Sequence, residues 1–224
     1  ATLTAYDESI NGLAAAWWDD SPGVGETYNY PDRPAFRGAP KVHTLYNAST
    51  LGTNWGTGSP DSSIAADNFS GRLTGLINMA TAGSYQFNSW AAQGTRTTID
   101  DQVVLDAWNA NGATPTSGTF TFAAGWHRIT VDIKANTGSS AFDVKWKTPG
   151  SGSYVVIPLA SLKPDFGLVT STTGDAVDST GAATTTTATT TYANPVIGLP
   201  TLSVVDPGGL KLTSANSYET QGAT

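Results

Sequence analysis

The sequence contains no cysteine and few of the other side chains on which catalytic and metal sites depend. The missing thiols exclude disulfide bonds, thiolate chemistry and cysteine-based zinc sites. With only two histidines, a metal site would need carboxylates. The three glutamates, Glu8, Glu26 and Glu219, lie outside the predicted core strands, and no spacing suggests a glycosidase pair. Since the motifs of hydrolases and phosphate-binding loops are also absent, we predict that the protein is not an enzyme.

Positive charge is also scarce. The chain has 11 Lys and Arg against 18 Asp and Glu, a net charge of −7, and its basic residues are scattered. Phosphate neutralisation and attraction to an anionic membrane both need clustered cations. Neither nucleic acid nor an anionic membrane surface is therefore expected as a partner.

Long apolar segments and a helical period are lacking too. No run of 18 apolar residues exists, so membrane insertion is not expected. The start, ATLTAYDESINGL, has no initiating Met and no signal-peptide pattern, which predicts a piece of a longer protein. The absence of cysteine is compatible with a cytosolic chain or with a large bacterial surface protein that does without disulfides.

Short alternating segments dominate what is present. In residues 67–108, Leu73, Ile77 and Met79 fall on one face of a segment, which is typical of a half-buried strand. The segment TRTTIDDQVVL predicts a hairpin that turns at Asp100-Asp101. Similar segments continue to residue 164, with loops predicted at 22–40, 54–64 and 109–118. We therefore predict an all-β protein, an antiparallel two-sheet sandwich.

Composition shifts at Asp165, after which the chain is rich in Thr and almost free of aromatic residues. A weak internal repeat follows: the Gly-Leu-x-Thr segments at 167–170 and 198–201 each precede an Asp and then a Tyr, Tyr192 or Tyr218. Such units cannot bury a core alone, because repeats need stacked neighbours. The predicted organisation is an entering strand at 1–11, a sandwich at 12–164 and a truncated β-repeat segment at 165–224.

Residues 12–164 resemble the protective-antigen-type (PA-14) domain. The matching pieces, in family order, are GLAAAWWDD, GSPDS, DNFSGRLTG, AGSYQF, IDDQVVLDAW, AAGWHRITVDI, DVKWKTPG and VIPLASLKP. The resemblance implies a β-sandwich of a kind that includes lectins on adhesins and domains attached to glycosidases and toxins. Glycan is therefore the partner that it implies.

Residues 165–224 are similar to YD-repeat (Rhs) proteins. The pieces GLPT, DPGGL and TTTY carry this second resemblance, although Ala193 stands where the repeat usually has Asp. Together the two resemblances imply part of a large bacterial Rhs protein that is secreted or displayed on the cell surface. The remaining repeats of the parent chain would then be further partners.

In the lectin members of the PA-14 family, two adjacent Asp residues hold a calcium ion that holds sugar hydroxyls. The aligned residues here are Ala92 and Gln93. Calcium prefers several carboxylate or carbonyl oxygens, whereas this pair supplies one neutral amide oxygen. The resemblance therefore predicts no metal at this pair, and sugar binding would be calcium-independent or would use a rebuilt site.

Candidate ligand-binding residues lie at two predicted loop tips, because rigid sheets often present function there. The candidates are Trp90, Gln93, Arg96, Asp100, Asp101 and Trp108. Trp rings offer apolar surface to the C–H faces of sugars, although packing in the core or as cover of the sheet is the favoured explanation for both Trp residues. Asp100, Asp101 and Asp106 are potential cation ligands, but the first two also suit a tight turn.

Other polar residues have simpler structural explanations. Asp19-Asp20 fits a solvated turn, and Asp67 and Arg72 fit a backbone cap or an ion pair. His127 shares a face with Ile129 and is expected to be a hydrogen-bonded histidine of the core.

Two functions fit the sequence. In the first, the sandwich is a non-catalytic extracellular module for carbohydrate binding or adhesion. In the second, it is a structural accessory or spacer domain of an Rhs-type toxin shell and has no small ligand.

Overall fold

The computed structural model describes residues 2–24, 26–27, 35–109 and 112–218. It divides the chain into two compact units: residues 11–165, and residues 1–10 together with 166–224. We call the first the sandwich unit and the second the sheet unit. Parts of two predicted loops, 25 and 28–34 in the first and 110–111 in the second, lie outside the described residues.

Strands make up nearly all of the regular structure. The strands are β1 Leu3–Tyr6, β2 Leu13–Asp19, β3 Val42–Tyr46, β4 Gly52–Gly56, β5 Phe69–Met79, β6 Gly83–Ala91, β7 Gly94–Ile99, β8 Gln102–Ala107, β9 Thr116–Phe122, β10 Gly125–Ala135, β11 Ser140–Lys147, β12 Val155–Val156, β13 Leu162–Lys163, β14 Val169–Val177, β15 Ala183–Asn194, β16 Leu199–Val205 and β17 Leu212–Ala215. Two 3₁₀ turns, Leu159–Ser161 and Pro195–Ile197, complete the described elements.

The sandwich unit consists of two antiparallel sheets, so the predicted fold class is confirmed. One sheet has the order β3-β2-β5-β10-β7-β8, with β13 also paired to β5. The other has the order β12-β11-β6-β9, with β4 also paired to β11. Alternating apolar side chains of both sheets form one core, in which Leu73, Phe87 and Val144 are all 0% exposed. The alternation read from the sequence therefore selects the buried face of strands such as β5 and β11.

Two loop predictions need correction. Residues 54–56, which Gly and polar content assign to a loop, belong to β4, because β4 pairs with β11 and the Trp55 ring packs 5.5 Å from the ring of Phe69. The polar loop predicted to end at Gly118 ends earlier, since β9 begins at Thr116 and pairs with β6. In both places tertiary pairing overrides weak local preference.

The sheet unit is one antiparallel sheet of order β1-β14-β15-β16-β17. The Thr-rich tract, for which the sequence left strand and linker open, is the strand β15. Of the described residues in this unit, only Asp7 and Thr170 are buried, and neither is apolar. The sheet unit therefore lacks a hydrophobic core of its own.

Candidate functional site

The structure separates the two predicted loop tips. Residues 92–93 connect β6 to β7, whereas Asp100 and Asp101 connect β7 to β8. Since β7 has six residues, the two tips lie roughly 20 Å apart at opposite ends of the strand. Arg96 and Trp108 are brought together near the first tip, and the two Asp residues lie away from them.

An open cleft of about 500 Å³ lies at the end of the sandwich unit that carries Arg96. Its lining residues are Arg96, Asp106, Ala107, Trp108, Asn109, Ala113, Thr114 and Pro115. Ligand sites commonly occupy about 300–1,000 Å³. The lining combines one large aromatic ring with a guanidinium, a carboxylate and an amide, a mixture that suits a small polar ligand.

A row of alternating charges crosses the outer face of the sheet and ends at the cleft. Strand register places Arg72, Asp132, Arg96 and Asp106 opposite one another on four neighbouring strands. Arg72 donates to Asp132 at 2.6 and 3.0 Å, and this hydrogen-bonded carboxylate raises the pKa of Arg72. Arg96 donates from Nε and Nη2 to Asp106 Oδ2 at 3.2 and 2.9 Å. Because this pair uses two of the five N–H groups of a guanidinium, donors remain on Arg96 for a ligand.

Three side chains hold the Trp108 ring in place. Phe36 stacks on it with ring centroids 6.0 Å apart, and the Arg96 guanidinium lies 5.5 Å from the ring centroid. The ammonium of Lys134 lies 4.9 Å from the same ring and donates to Asn109 Oδ1 at 3.1 Å. Lys134 is only 2% exposed. Aromatic and cation–π contacts of this kind preorganise the Trp108 ring at the cleft.

The backbone of Trp108 is held as firmly as its ring. Its N–H donates to Asp106 Oδ1 at 3.0 Å. Gly94 lies against its carbonyl group, because a Cβ added at Gly94 would stand 2.1 Å from the Trp108 carbonyl oxygen. Only glycine allows β7 to approach Trp108 this closely.

Phe36 adopts a backbone conformation that is rare for a bulky residue, with a φ of 59°. Its N–H donates to Ser70 Oγ at 2.8 Å, and the N–H of Arg37 donates to Asp20 Oδ1 at 2.9 Å. Both acceptor residues are fully buried. Such strain persists only where the surroundings over-determine the backbone. The interpretation of Asp20 as part of a solvated turn is therefore wrong, because its buried carboxylate fixes the loop that presents Phe36.

The opposite tip is a tight hairpin turn. Asp100 and Asp101 have φ values of 46° and 64°, and this positive pair is typical of a two-residue hairpin connection. Asp101 accepts from Arg128 Nη2 at 2.6 Å, and Asp100 accepts from the Arg128 N–H at 3.0 Å. The turn interpretation of these two residues is confirmed.

His127 is hydrogen-bonded, as the sequence predicted, but it is only partly buried and not a residue of the core, and it contacts the same turn. Its Nδ1 lies 2.6 Å from Asp100 Oδ2, and its Nε2 lies 3.0 Å from the carbonyl oxygen of Ala123. An acceptor at each nitrogen favours the doubly protonated ring. Partial burial opposes charge on both groups, but their hydrogen bonds outweigh it: the pKa of His127 is raised and that of Asp100 is lowered.

Trp90 and Gln93 lie near the first tip but do not line the cleft. Trp90, 37% exposed on β6, pairs with Asp143, whose Oδ1 accepts from the Trp90 N–H at 3.0 Å. The Gln93 side chain is buried, and its Nε2 donates to the carbonyl oxygen of Ser139 at 3.0 Å.

Ala92 and Gln93 do not fit the calcium ion that the family resemblance implies. Ala92 has no side-chain oxygen, and the amide of Gln93 is tied to the backbone of Ser139. Within the described ranges, no group of three or more His, Asp or Glu residues is placed to hold a metal ion.

Asp67 and Arg72 have the structural roles that the sequence predicts. Asp67 Oδ1 accepts from the Gly138 N–H at 2.8 Å, and Arg72 forms its ion pair with Asp132.

Sequence reasoning missed Phe36, Lys134 and Asn109. Phe36 lies within the predicted loop 22–40, which has no hydrophobic periodicity. Lys134 lies on the outer face of β10, where alternation predicts exposure, and the cover provided by Trp108 and Asn109 cannot be read from the chain. No signal in the sequence marks these three residues.

The sequence pattern of the PA14 domain matches residues 20–160. The chain therefore belongs to the PA14 domain family, and the predicted resemblance to this family is confirmed. In the part of the chain that the structure describes, no helix is both long and apolar enough to cross a membrane.

Two of the similar proteins are anti-sigma factors. The chain is 28% identical to the anti-sigma-I factor RsgI3 of Acetivibrio thermocellus over 115 residues, which cover 51% of this chain and 18% of that protein. A solved anti-sigma factor domain-containing protein from Clostridium clariflavum is 26% identical with a TM-score of 0.56, and the match covers 74% of this chain and 53% of that one. This chain thus spans 18% of the curated relative and about half of the solved chain.

A third similar protein is the solved PA14 sugar-binding domain from an RTX adhesin. It is 18% identical with a TM-score of 0.54, and the match covers 70% of this chain and 99% of that domain. At this identity the likeness shows the fold.

Proposed function

We propose that the sandwich unit is a non-catalytic module that binds a carbohydrate in the cleft beside Trp108 without calcium. The observation that carries this proposal is the Trp108 ring, held by Phe36, Arg96 and Lys134 at the edge of a polar cleft of about 500 Å³. Sugar sites combine apolar surface with a few fixed polar groups. The sugar-binding PA14 domain of the RTX adhesin supports the same ligand class by analogy of fold.

The polar groups indicate how the sugar would be held. Free N–H groups of Arg96 donate to sugar hydroxyls, Asp106 accepts from them, and Trp108 supplies apolar contact. Because the Asp106 carboxylate balances the charge of Arg96 at 2.9 Å, we expect neutral sugars to bind better than acidic ones. Asn109 adds an amide whose oxygen is already oriented by Lys134.

The test is a glycan array on the full chain, followed by titration calorimetry with each glycan that binds, in chelator and in millimolar calcium. We expect binding in both conditions. Trp108→Ala should weaken it at least tenfold, because stacking and the cleft wall are lost together. The control is Trp126→Ala: Trp126 is 40% exposed and lies on β10, roughly 20 Å along the strand from the residue opposite Arg96. An empty array, or equal losses from both variants, would contradict the proposal.

The second candidate is a structural accessory or spacer domain without a small ligand. It is favoured by the Gln93 side chain, whose amide is hydrogen-bonded to the backbone of Ser139 and does not point to a ligand site. An empty array would leave this candidate in place.

We further propose that the parent protein acts outside the bacterial cell and that the sheet unit belongs to a YD/Rhs-type repeat region. Repeated strand register in the sheet unit supports a repeat region. The anti-sigma relatives favour another setting, in which the sandwich is attached to a regulator. Protease treatment of intact cells tests the extracellular location, since an exposed module is cleaved whereas an internal one is protected until lysis.

A further inference from the structure

Two strand pairs of the sheet unit have the same register, including the same irregularity. In the pair β1–β14, Tyr6 lies opposite Val169, and the register shifts just before it. In the pair β15–β16, Tyr192 lies opposite Pro200, and a shift falls at the same place, followed by a second shift between Tyr192 and Asn194. Val169 and Pro200 hold the same position after the two Gly-Leu segments. The repeat predicted from the sequence coincides with this recurrence of register, and β1 is a further strand ending in Tyr that the sequence analysis did not include.

Side-chain hydrogen bonds repeat in the same way. Thr170 Oγ1 donates to the carbonyl oxygen of Ala5 at 3.3 Å, just before Tyr6. Thr201 Oγ1 donates to the carbonyl oxygen of Thr191 at 3.2 Å, just before Tyr192. The two strand pairs are thus the same structural unit in side chains as well as backbone.

The tyrosines themselves follow this pattern. The Tyr192 hydroxyl donates to the carbonyl oxygen of Val169 at 3.0 Å, and the Tyr218 hydroxyl donates to that of Pro200 at 2.7 Å. Each acceptor is the residue after Gly-Leu in its copy. The sheet is therefore built from a recurring hairpin.

The two equivalent connections differ greatly in length. Tyr192 reaches Gly198 through a short turn, in which Asn194 Oδ1 accepts from the Val196 N–H at 3.1 Å. Tyr6 reaches Gly167 only after the whole of residues 11–165, which form a compact unit of their own. Both glycines nevertheless have the same left-handed conformation, with φ values of 71° and 66°.

We propose that the sandwich unit is a module inserted into one strand connection of this repeated sheet. Insertion requires that the ends of the inserted unit lie together, which is common in domains that tolerate it. Within the sandwich unit, the Gly12 N–H donates to the carbonyl oxygen of Leu162 at 3.1 Å, so its two ends meet. The two strand pairs share their register although only one of the two connections contains the sandwich unit.

Asp7 joins the two sides of the connection that contains the sandwich unit. Its carboxylate accepts from the Gly167 N–H at 2.9 Å and from the Leu168 N–H at 3.2 Å. Its own N–H donates to the carbonyl oxygen of Leu168 at 2.9 Å. Asp7 is 2% exposed. The other copy has Ala193 at this position, and there the strands are joined by the short turn that Asn194 caps. Asp7 thus replaces the turn that the insertion removes.

Two probes in the full chain separate the units. All seven Trp residues lie in the sandwich unit, so Trp fluorescence during urea unfolding reports that unit. Hydrogen exchange of peptides within 169–205, read by mass spectrometry, reports the sheet. In Asp7→Ala we expect exchange of those peptides to rise about tenfold or more, because two charge-assisted hydrogen bonds are lost, with the Trp midpoint unchanged. Asp7→Asn, which keeps one acceptor oxygen, should give a smaller rise.

The control is Asp165→Ala, which removes the same charge from an exposed position close to the end of the insertion. It should leave both probes unchanged. A fall of the Trp midpoint together with faster sheet exchange in Asp7→Ala would show one cooperative unit and overturn the insertion. Unchanged exchange would overturn the role of Asp7. None of these outcomes depends on whether the cleft binds a sugar.

Discussion

The sandwich unit and the sheet unit are both antiparallel β structure, yet they are stabilised differently. The sandwich unit buries apolar side chains from two sheets in one core. The sheet unit buries no apolar side chain among its described residues and exposes several, among them Val177, Leu210 and Leu212. Its order rests on strand register and on recurring polar contacts such as those of Tyr192 and Tyr218.

This difference shows that alternating apolar and polar residues along a strand do not by themselves form a hydrophobic core. Apolar burial stabilises by roughly 25 cal/mol per Å² removed from water, and this contribution needs a second layer. A single sheet of repeats depends instead on neighbours that cover it. The following predictions test this contrast.

The largest effect is expected from a matched pair of Leu→Ala substitutions. Leu73 is fully buried in the sandwich unit, so Leu73→Ala should lower the free energy of unfolding by roughly 2–5 kcal/mol. Leu202 in the sheet unit is 37% exposed, and Leu202→Ala should cost less than about 1 kcal/mol. Urea unfolding by Trp fluorescence measures the first, and hydrogen exchange measures the second. Equal losses would contradict the contrast between the units.

A smaller effect is expected at the cleft. Gly94→Ala forces a Cβ against the Trp108 carbonyl group, which should cost roughly 1–3 kcal/mol and displace the ring. Urea unfolding measures the loss of stability, and near-ultraviolet circular dichroism measures the displacement of the Trp108 ring. Gly118→Ala is the control, because a Cβ there meets nothing within 4 Å. A Gly94→Ala variant whose near-ultraviolet circular dichroism is unchanged would contradict the close approach of Gly94 to the Trp108 carbonyl group.

The His127–Asp100 pair should make the stability of the sandwich unit depend on pH. Because the pKa of His127 is raised, its contribution is complete below about pH 6.5 and is lost as pH rises through the raised value. Because the pKa of Asp100 is lowered, its contribution is complete above about pH 4 and is lost as pH falls through the lowered value. We expect a loss of about 1 kcal/mol on each side, since Asp100 is half exposed.

Unfolding midpoints measured across pH check this expectation. His127→Gln should flatten the alkaline side of the profile. His43→Gln should not, because His43 is exposed on β3. A profile that keeps its alkaline slope in His127→Gln would assign the dependence to another group.

The smallest effects are expected from the tyrosine hydroxyls of the sheet unit. Tyr192→Phe and Tyr218→Phe each remove one hydrogen bond to a carbonyl group, worth roughly 0.5–1.5 kcal/mol. Because the two copies are equivalent, the losses should be similar. Hydrogen exchange of strands β14 and β16 measures them, and strongly unequal losses would argue against the repeat.

Much of the fold was predictable because alternation is a local property of the chain. Leu73, Ile77 and Met79 were placed on the buried face from their spacing, and the hairpin at Asp100-Asp101 follows from turn chemistry. The candidate site was only half predictable. Arg96 and Trp108 are in contact, as the shared prediction of a site requires. Asp100 lies at the other end of β7, and its position depends on the length and direction of that strand.

The sequence by itself determined an all-β chain, the buried face of long strands of the sandwich unit such as β5 and β11, the family, and the missing calcium pair at Ala92-Gln93, because composition, period and residue identity are read position by position. Only the tertiary structure decided which residues meet. It brought Phe36 and Lys134 to Trp108, buried Asp20, and placed Tyr6 in the sheet that resumes at Val169. These contacts join residues far apart in sequence, and strand pairing brings them together without leaving a local pattern in the chain.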